Sequence, residues 1–169
     1  TENVFYRNGE TPDSHRVGVK KKYSLLDLYE ATENNLSSRP LIIWMHGGGF
    51  KYGNKKSNGI PVWCKTFAQR GYLCVAINYR LSKKKPLRKF PDLVDGCTEA
   101  IQDAGDVISF FKTKHERYRI DTNLIILAGN SAGAMIALQA VYSSPYEMAK
   151  LINRQGYDTL PRNHNSFNI

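Results

Sequence analysis

Three short runs of apolar residues limit most strongly how this chain can fold. They cover residues 41–45, 73–77 and 124–128, and segments with helical periodicity lie between them. A strand that is apolar at every position suits the middle of a parallel sheet with helices on both faces, because none of its side chains meets water. The sequence therefore predicts an α/β fold, a three-layer α/β/α sandwich with a mostly parallel sheet.

The segments around these runs predict the remaining elements. Residues 62–70 and 93–111 are expected to form helices, the second of them long and amphipathic. Residues 132–142 are rich in Ala, Met, Ile and Leu, which predicts a helix buried on most sides. Residues 121–123 favour a turn into the third buried strand, and residues 19–28 contain a further strand near the edge of the sheet.

The charge of the chain does not by itself indicate a partner. The net charge is +9, and basic residues cluster at 20–22, 51–56 and 83–89. No cluster forms an amphipathic helix or accompanies a motif for stacking on RNA bases, so solvated loops are favoured over a nucleic-acid site. No apolar run approaches the roughly 18 residues of a membrane span.

The cysteines and the start of the chain leave the compartment undetermined. Cys64, Cys74 and Cys97 are odd in number and show no C-x-x-C spacing, so we expect buried free thiols, not a disulfide framework or a zinc site. The chain opens at Thr1 without a signal-like apolar region, and a trimmed start is expected.

A G-x-S-x-G motif, Gly129-Asn130-Ser131-Ala132-Gly133, lies between a predicted strand and a predicted helix. A turn this tight leaves no room for side chains two residues either side of the serine, so both positions favour glycine. The turn would raise the serine hydroxyl to the carboxyl end of the sheet and place the next N–H at a helix N-terminus. The motif predicts a nucleophile, with a simple turn of small residues as the alternative.

A second glycine motif, His46-Gly47-Gly48-Gly49-Phe50, follows directly on the first apolar run. Such a run lets the backbone approach a substrate closely and turn its N–H groups toward one point. Its spacing fits neither G-x-G-x-x-G nor a Gly-Lys-Ser/Thr ending, so a phosphate-binding loop is disfavoured. We interpret the histidine in this turn as a structural hydrogen-bonding residue and not as a general base.

Together with Tyr79-Arg80-Leu81 and Phe90-Pro91, the two glycine motifs occur in the order found in hormone-sensitive-lipase-like carboxylesterases. The chain resembles this family over roughly residues 15 to 145, and the family is close to bacterial esterases named feruloyl esterase or lipase. The resemblance implies an α/β-hydrolase fold that is incomplete at its C-terminal strands. Residues 1–169 would then be the N-terminal part of one domain, with 153–169 irregular or the start of a further segment.

The resemblance also implies roles for individual residues. Ser131 matches the nucleophile of the family, and Gly48, Gly49 and Ala132 match the donors of its oxyanion hole. Arg80 is expected to anchor the fold and not to touch substrate. The family usually has an acidic residue at the position of Asn130 and a glycine at that of Ala134, and neither departure threatens the chemistry.

A serine nucleophile also needs a His base and a carboxylate that orients it, and in this fold the carboxylate and then the His follow the serine. Downstream of the serine the chain offers Glu147, Asp158 and His164. The last two lie in one polar segment without a buried strand, so we expect the true partners beyond residue 169. The isolated 169-residue chain is expected to be nearly inactive, and a sheet that ends at the nucleophile strand should expose an apolar edge and face.

These patterns lead to the hypothesis of a serine carboxylester hydrolase that acts on a small-molecule ester through an acyl-enzyme on Ser131, without a metal or organic cofactor. An amidohydrolase or peptidase on the same machinery and a non-catalytic binding protein on a hydrolase scaffold are the alternatives. Phe50, Tyr52 and Trp63 are candidates for lining an apolar acyl pocket, or for core packing. The substrate and the oligomeric state stay open.

Overall fold

Five strands pair into one mixed sheet in the computed structural model, which describes residues 1–7, 20–57 and 59–143. The strands are β1 (Val4–Phe5), β2 (Leu25–Tyr29), β3 (Arg39–Met45), β4 (Leu73–Ile77) and β5 (Ile120–Gly129), in the spatial order β1-β2-β4-β3-β5. The helices are α1 (Ile60–Ala68), α2 (Phe90–Thr113), α3 (His115–Tyr118) and α4 (Ala132–Tyr142), and a 3₁₀ turn at Lys21–Ser24 precedes β2.

The strand directions confirm the predicted mostly parallel centre. β4, β3 and β5 run parallel, whereas β2 is antiparallel to both β1 and β4. Strand β3 therefore lies between two parallel neighbours, as its continuous apolar sequence predicts. The two-residue strand β1 has no counterpart among the predictions, because so short a segment carries no periodicity.

The two faces of the sheet carry separate helical layers. On β3, Leu41, Ile43 and Met45 belong to the larger core, which includes apolar side chains of α2 and α4. The alternate residue Ile42 packs with Ile60 of α1 in the smaller core on the opposite face. This alternation confirms the predicted three-layer α/β/α arrangement.

The predicted helices form, with shifted starts. Helix α1 begins two residues before the predicted position and α2 three residues before it, and each has a proline in its first turn. Proline suits this position because its fixed φ matches the helix and its absent N–H would have no intrahelical acceptor. The apolar spacing alone does not predict that these first-turn residues are helical.

The third apolar strand and the last helix are less buried than the sequence predicts. Strand β5 pairs only with β3 among the described residues, and 50% of Leu124 and 43% of Ile126 are exposed. Helix α4 buries Ile136 and Ala140 but exposes Leu138 and three other large apolar side chains. The prediction of extensive burial was wrong because β5 is the last strand of the described sheet, and the expected exposed apolar edge is confirmed.

The predicted turn at residues 121–123 lies inside β5 as an irregularity. The N–H of Asn123 donates to the Asp121 carboxylate (2.8 Å), and the register with β3 shifts from Arg39↔Ile120 to Leu41↔Ile125. The predicted local hydrogen bond of a turn is therefore present, but the strand does not end there and continues through it as a bulge.

Buried charges fix the loop after β4 to helix α2. The fully buried Asp103 carboxylate accepts hydrogen bonds from the backbone N–H of Arg80 (2.6 Å) and from its Nε (2.9 Å), and it also pairs with Arg7. The Arg80 side chain, 12% exposed, donates in addition to Gln102 Oε1. This geometry agrees with the interpretation of Arg80 as a fold anchor.

The three cysteines are buried and free, as expected. Burial raises the pKa of each thiol above its ordinary value, to about 12 for Cys74 and Cys97. In the part of the chain that the structure describes, no helix is long and apolar enough to span a bilayer. Residues 153–169 lie outside the described residues.

Candidate active site

The backbone of Ser131 has an unusual conformation, with φ 51° and ψ −118°. It lies between Gly129, the last residue of β5, and Ala132, the first residue of α4. An L-residue held at positive φ costs on the order of 1–3 kcal/mol, so the surrounding structure must impose it. The serine is exposed at the carboxyl end of the strand, where a substrate has access to it.

The two glycines of the motif are required by close backbone approach. A β-carbon at Gly129 would lie 2.5 Å from the carbonyl carbon of Gly133 and 2.7 Å from the oxygen of Met45. A β-carbon at Gly133 would overlap the Met45 oxygen and lie 3.0 Å from the His46 oxygen. The serine turn therefore packs against itself, as the motif predicts, and also against the carboxyl end of β3.

The glycine turn after β3 has its own left-handed residues. Gly48 has φ 123° and Gly49 has φ 58°, and the buried Phe50 follows at φ 59°. The N–H groups of Lys51 and Tyr52 both donate to the Gly48 carbonyl at 3.0 Å, which closes the turn. Phe50 belongs to the larger core, so its side chain anchors the turn and does not line a pocket.

A direct hydrogen bond joins the glycine turn to the serine turn. The backbone N–H of Gly47 donates to the side-chain oxygen of Asn130 at 3.1 Å. The register of the parallel strands aligns Met45 with Gly129, so both turns leave the sheet at the same level. Asn130 thus has a structural role in this position.

Three backbone N–H groups of the two turns have no acceptor of their own. Within residues 1–7, 20–57 and 59–143, the N–H groups of Gly48 and Gly49 make no hydrogen bond. Ala132 is the first residue of α4, where an N–H has no acceptor within the helix. The helix dipole adds partial positive charge at that end, so the arrangement suits a developing negative charge.

His46 is held as a structural residue. It is 1% exposed, its ring lies parallel to that of Tyr79 with centroids 4.2 Å apart, and its Nδ1 lies 2.7 Å from the Gly47 carbonyl oxygen. The Tyr79 hydroxyl donates to the His46 carbonyl at 2.6 Å. Burial lowers the pKa of His46, so the ring is neutral and its Nδ1–H donates to Gly47.

The remaining histidines of the chain, and the acids downstream of the serine, are not brought to Ser131 within the described residues. His115 begins α3, just before β5 starts, and lies at the opposite end of that strand from Ser131. The ten residues of β5 separate the two ends by roughly 30 Å. His15, Glu147, Asp158 and His164 lie outside the described residues.

The remaining aromatic candidates lie on different surfaces. Trp63 of α1 is 53% exposed and stacks on Trp44 with ring centroids 6.3 Å apart, and Trp44 packs against the smaller core. Tyr52 is 66% exposed next to the glycine turn. Sequence reasoning missed Leu87, which covers Gly49: a β-carbon on this glycine would lie 2.5 Å from Leu87 Cδ2. No local pattern marks a contact between two loops this far apart in the chain.

The parallel sheet, the strained serine between strand and helix, and the glycine turn on the neighbouring strand define a protein of the α/β-hydrolase class. Solved esterases share the fold. Est2 of Thermogutta terrifontis, with propionate bound, aligns with 83% of this chain and 44% of its own at 22% identity and TM-score 0.60. Esterase B of Lactobacillus rhamnosis aligns with 91% of this chain and 43% of its own, also at 22% identity and TM-score 0.60. The BD-FAE family model matches residues 26–166, and the chain belongs to the BD-FAE family.

Curated relatives are named as esterases. Gut esterase 1 of Caenorhabditis elegans is 29% identical over 144 residues, which are 83% of this chain and 25% of the relative. Esterase LipC of Mycobacterium tuberculosis is 27% identical over 137 residues, 80% of this chain and 31% of the relative. The chain spans between a quarter and a third of the length of these relatives. The resemblance to esterases stated from the motifs is confirmed.

Proposed function

We propose that the protein is a serine carboxylester hydrolase with Ser131 as its nucleophile. The observation that carries the proposal is the exposed, positive-φ serine in a turn that is hydrogen-bonded to the glycine turn, where two N–H groups have no acceptor. A backbone strain of on the order of 1–3 kcal/mol is expected where it positions a reacting group. The esterase names of the curated relatives support the same reaction class.

In the proposed reaction, Ser131 Oγ attacks the ester carbonyl carbon while its proton passes to a histidine base. The carbonyl oxygen becomes an oxyanion that accepts hydrogen bonds from the N–H groups of Gly48, Gly49 and Ala132. Removing one donor of this kind typically costs about 10²–10³ in kcat. The oxyanion then collapses, the histidine returns the proton to the leaving alcohol, and water hydrolyses the acyl-serine in the same manner.

The base of this reaction is not among residues 1–7, 20–57 and 59–143. Their two histidines are His46, buried against Tyr79, and His115, at the far end of β5. The proposed activity is therefore tested with the complete natural protein. The intact serine motif and the glycine turn with its free N–H groups favour an enzyme over a purely binding role on the same scaffold.

The test is hydrolysis of p-nitrophenyl butyrate by the complete natural protein. Replacing Ser131→Ala should lower kcat by about 10⁴–10⁶, whereas Ser143→Ala, directly after α4, should leave it unchanged. A Ser131→Ala protein with more than a tenth of the original kcat would refute the proposed nucleophile. The matching anilide, p-nitrobutyranilide, separates an esterase from an amidase: faster cleavage of the anilide would contradict ester hydrolysis as the main activity.

A further inference from the structure

The loop between β4 and α2 lies against the glycine turn. The N–H of Ser82 donates to the Phe50 carbonyl at 2.7 Å, and Lys51 Nζ donates to the carbonyls of Ser82 (3.2 Å) and Lys84 (2.9 Å). Further along the loop, the side chain of Leu87 rests on Gly49. These contacts fix the loop as a wall directly beside the candidate oxyanion donors.

This wall carries an excess of positive charge. Its cationic side chains are those of Lys51, Lys83, Lys84, Lys85, Arg88 and Lys89, and the facing first two turns of α2 supply only the carboxylates of Asp92 and Asp95. Lys84 is paired with Asp95 at 2.5 Å, and Asp92 accepts the backbone N–H of Lys85 at 3.0 Å.

Four of these cations are exposed without a carboxylate partner. In the ranges that the structure describes, the side chains of Lys83, Lys85, Arg88 and Lys89 form no ion pair. Three of them, Lys85, Arg88 and Lys89, lie within two residues of Leu87, which touches Gly49. Charges act across about 8 Å at physiological ionic strength, so this excess acts on a substrate bound at the glycine turn.

The exposure of Leu87 supports a wall that meets substrate. This apolar side chain is 68% exposed although it rests on Gly49, and the neighbouring Phe90 is 62% exposed. An apolar contact surface surrounded by cations favours a ligand with a short apolar part and an anionic group. Solvated lysines alone would explain the charge, but they would not explain its placement around an exposed leucine over the glycine turn.

We propose that the loop formed by residues 82–89 selects ester substrates that carry a negative charge, such as half-esters of dicarboxylic acids. The inference rests on the proposed function. In this assignment Leu87 contacts the acyl chain beside Gly49, while Lys85, Arg88 and Lys89 attract the free carboxylate. These residues position the substrate and take no part in bond making or breaking.

The test compares two esters of similar length, neutral p-nitrophenyl butyrate and anionic mono-p-nitrophenyl succinate, with the complete natural protein. We expect the anionic ester to have the higher kcat/KM, and the ratio to fall as salt is raised to about 0.5 M. The variant Lys85→Gln/Arg88→Gln/Lys89→Gln should lower the ratio about 10-fold, mainly through KM. The control Lys21→Gln/Lys65→Gln/Arg117→Gln removes the same charge from other exposed sites and should leave the ratio unchanged.

The outcomes separate the two proposals. Hydrolysis of the neutral ester without preference for the anionic one, or an equal effect of both triple variants, would overturn the charge selection and leave the esterase proposal standing. Failure to hydrolyse either ester, together with an unreactive Ser131, would overturn both. A loop variant that gains affinity for the anionic ester would contradict the assigned sign of the interaction.

Discussion

The side-chain oxygen of Asn130 accepts a hydrogen bond from the backbone N–H of Gly47 at 3.1 Å. The acceptor is adjacent in sequence to Ser131, and the donor is adjacent to Gly48. One hydrogen bond thus fixes the turn of the proposed nucleophile, which follows β5, relative to the turn of Gly48 and Gly49, which follows β3. Each oxyanion donor acts only when its N–H points at the position of the oxyanion, so this bond should matter for kcat.

Replacing Asn130→Leu should therefore lower kcat for p-nitrophenyl butyrate about 10-fold or more in the complete natural protein, with a smaller effect on KM. Asn130→Asp keeps an oxygen acceptor and should restore most of the lost kcat. Steady-state kinetics of both variants provide the measurement. Equal kcat values for the wild type and Asn130→Leu would show that the bond does not position the site.

Gly133→Ala should destabilise the fold although alanine favours helices. Its β-carbon would overlap the backbone carbonyl oxygen of Met45, and neither can move easily because Gly133 is held in α4 and Met45 in β3. Overpacking of this kind costs about 1–3 kcal/mol. Urea denaturation measures the free energy of unfolding, with Gln139→Ala on the same helix as the control. Equal stability of Gly133→Ala and the control would mean that the turn relaxes without cost.

Asp103→Ala should be strongly destabilising, because it leaves Arg7 and Arg80 next to each other without their shared carboxylate. Loss of one partner from a buried pair costs about 3–5 kcal/mol. The exposed pair of Lys56 and Glu2 gives the comparison, since Glu2→Gln should change stability by less than about 1 kcal/mol. Denaturant unfolding under the same conditions measures the loss of unfolding free energy in the two variants. Similar losses in both would contradict the predicted difference.

The buried His46 should make stability depend on pH. Burial lowers its folded-state pKa below the ordinary 6.5, so below pH 6.5 the unfolded chain binds a proton that the folded chain resists. The contribution of His46 is therefore complete above about pH 6.5 and is lost as the pH falls toward the folded-state value. The slope from this residue is at most about 1.4 kcal/mol per pH unit.

Unfolding free energies at pH 7.5, 6.5 and 5.5 measure this effect. His46→Gln should flatten the slope in this window, whereas replacement of the exposed His115→Gln should preserve it. An unchanged slope in His46→Gln would assign the pH dependence to other groups.

The sequence predicts the parts of the site that depend on local backbone geometry. The tight strand–serine–helix turn follows from Gly129 and Gly133, and the turn after β3 follows from its three consecutive glycines. Both predictions use conformations that few other residues adopt, which makes the signal strong. The fold follows from the apolar runs, because they are too short for buried helices and alternate with segments of helical periodicity.

The other features of the fold and the site depend on contacts between segments that are distant in the chain. The exposure of Leu124 on β5 depends on which strands are neighbours and not on its own apolar sequence. The bond from Gly47 to Asn130 and the contact of Leu87 with Gly49 join residues 83 and 38 positions apart. Neither pair leaves a pattern in one sequence, since any side chain of suitable size or polarity fits the local rules.

The central claim is that Ser131 is an activated nucleophile, and covalent labelling tests it most directly. The complete natural protein is treated with a fluorophosphonate, and the adduct is mapped by mass spectrometry of its peptides. The account predicts stoichiometric phosphonylation at Ser131 and none at this peptide in Ser131→Ala. An intact Ser131 under conditions that label other serine hydrolases, or an adduct on a different serine, would contradict it.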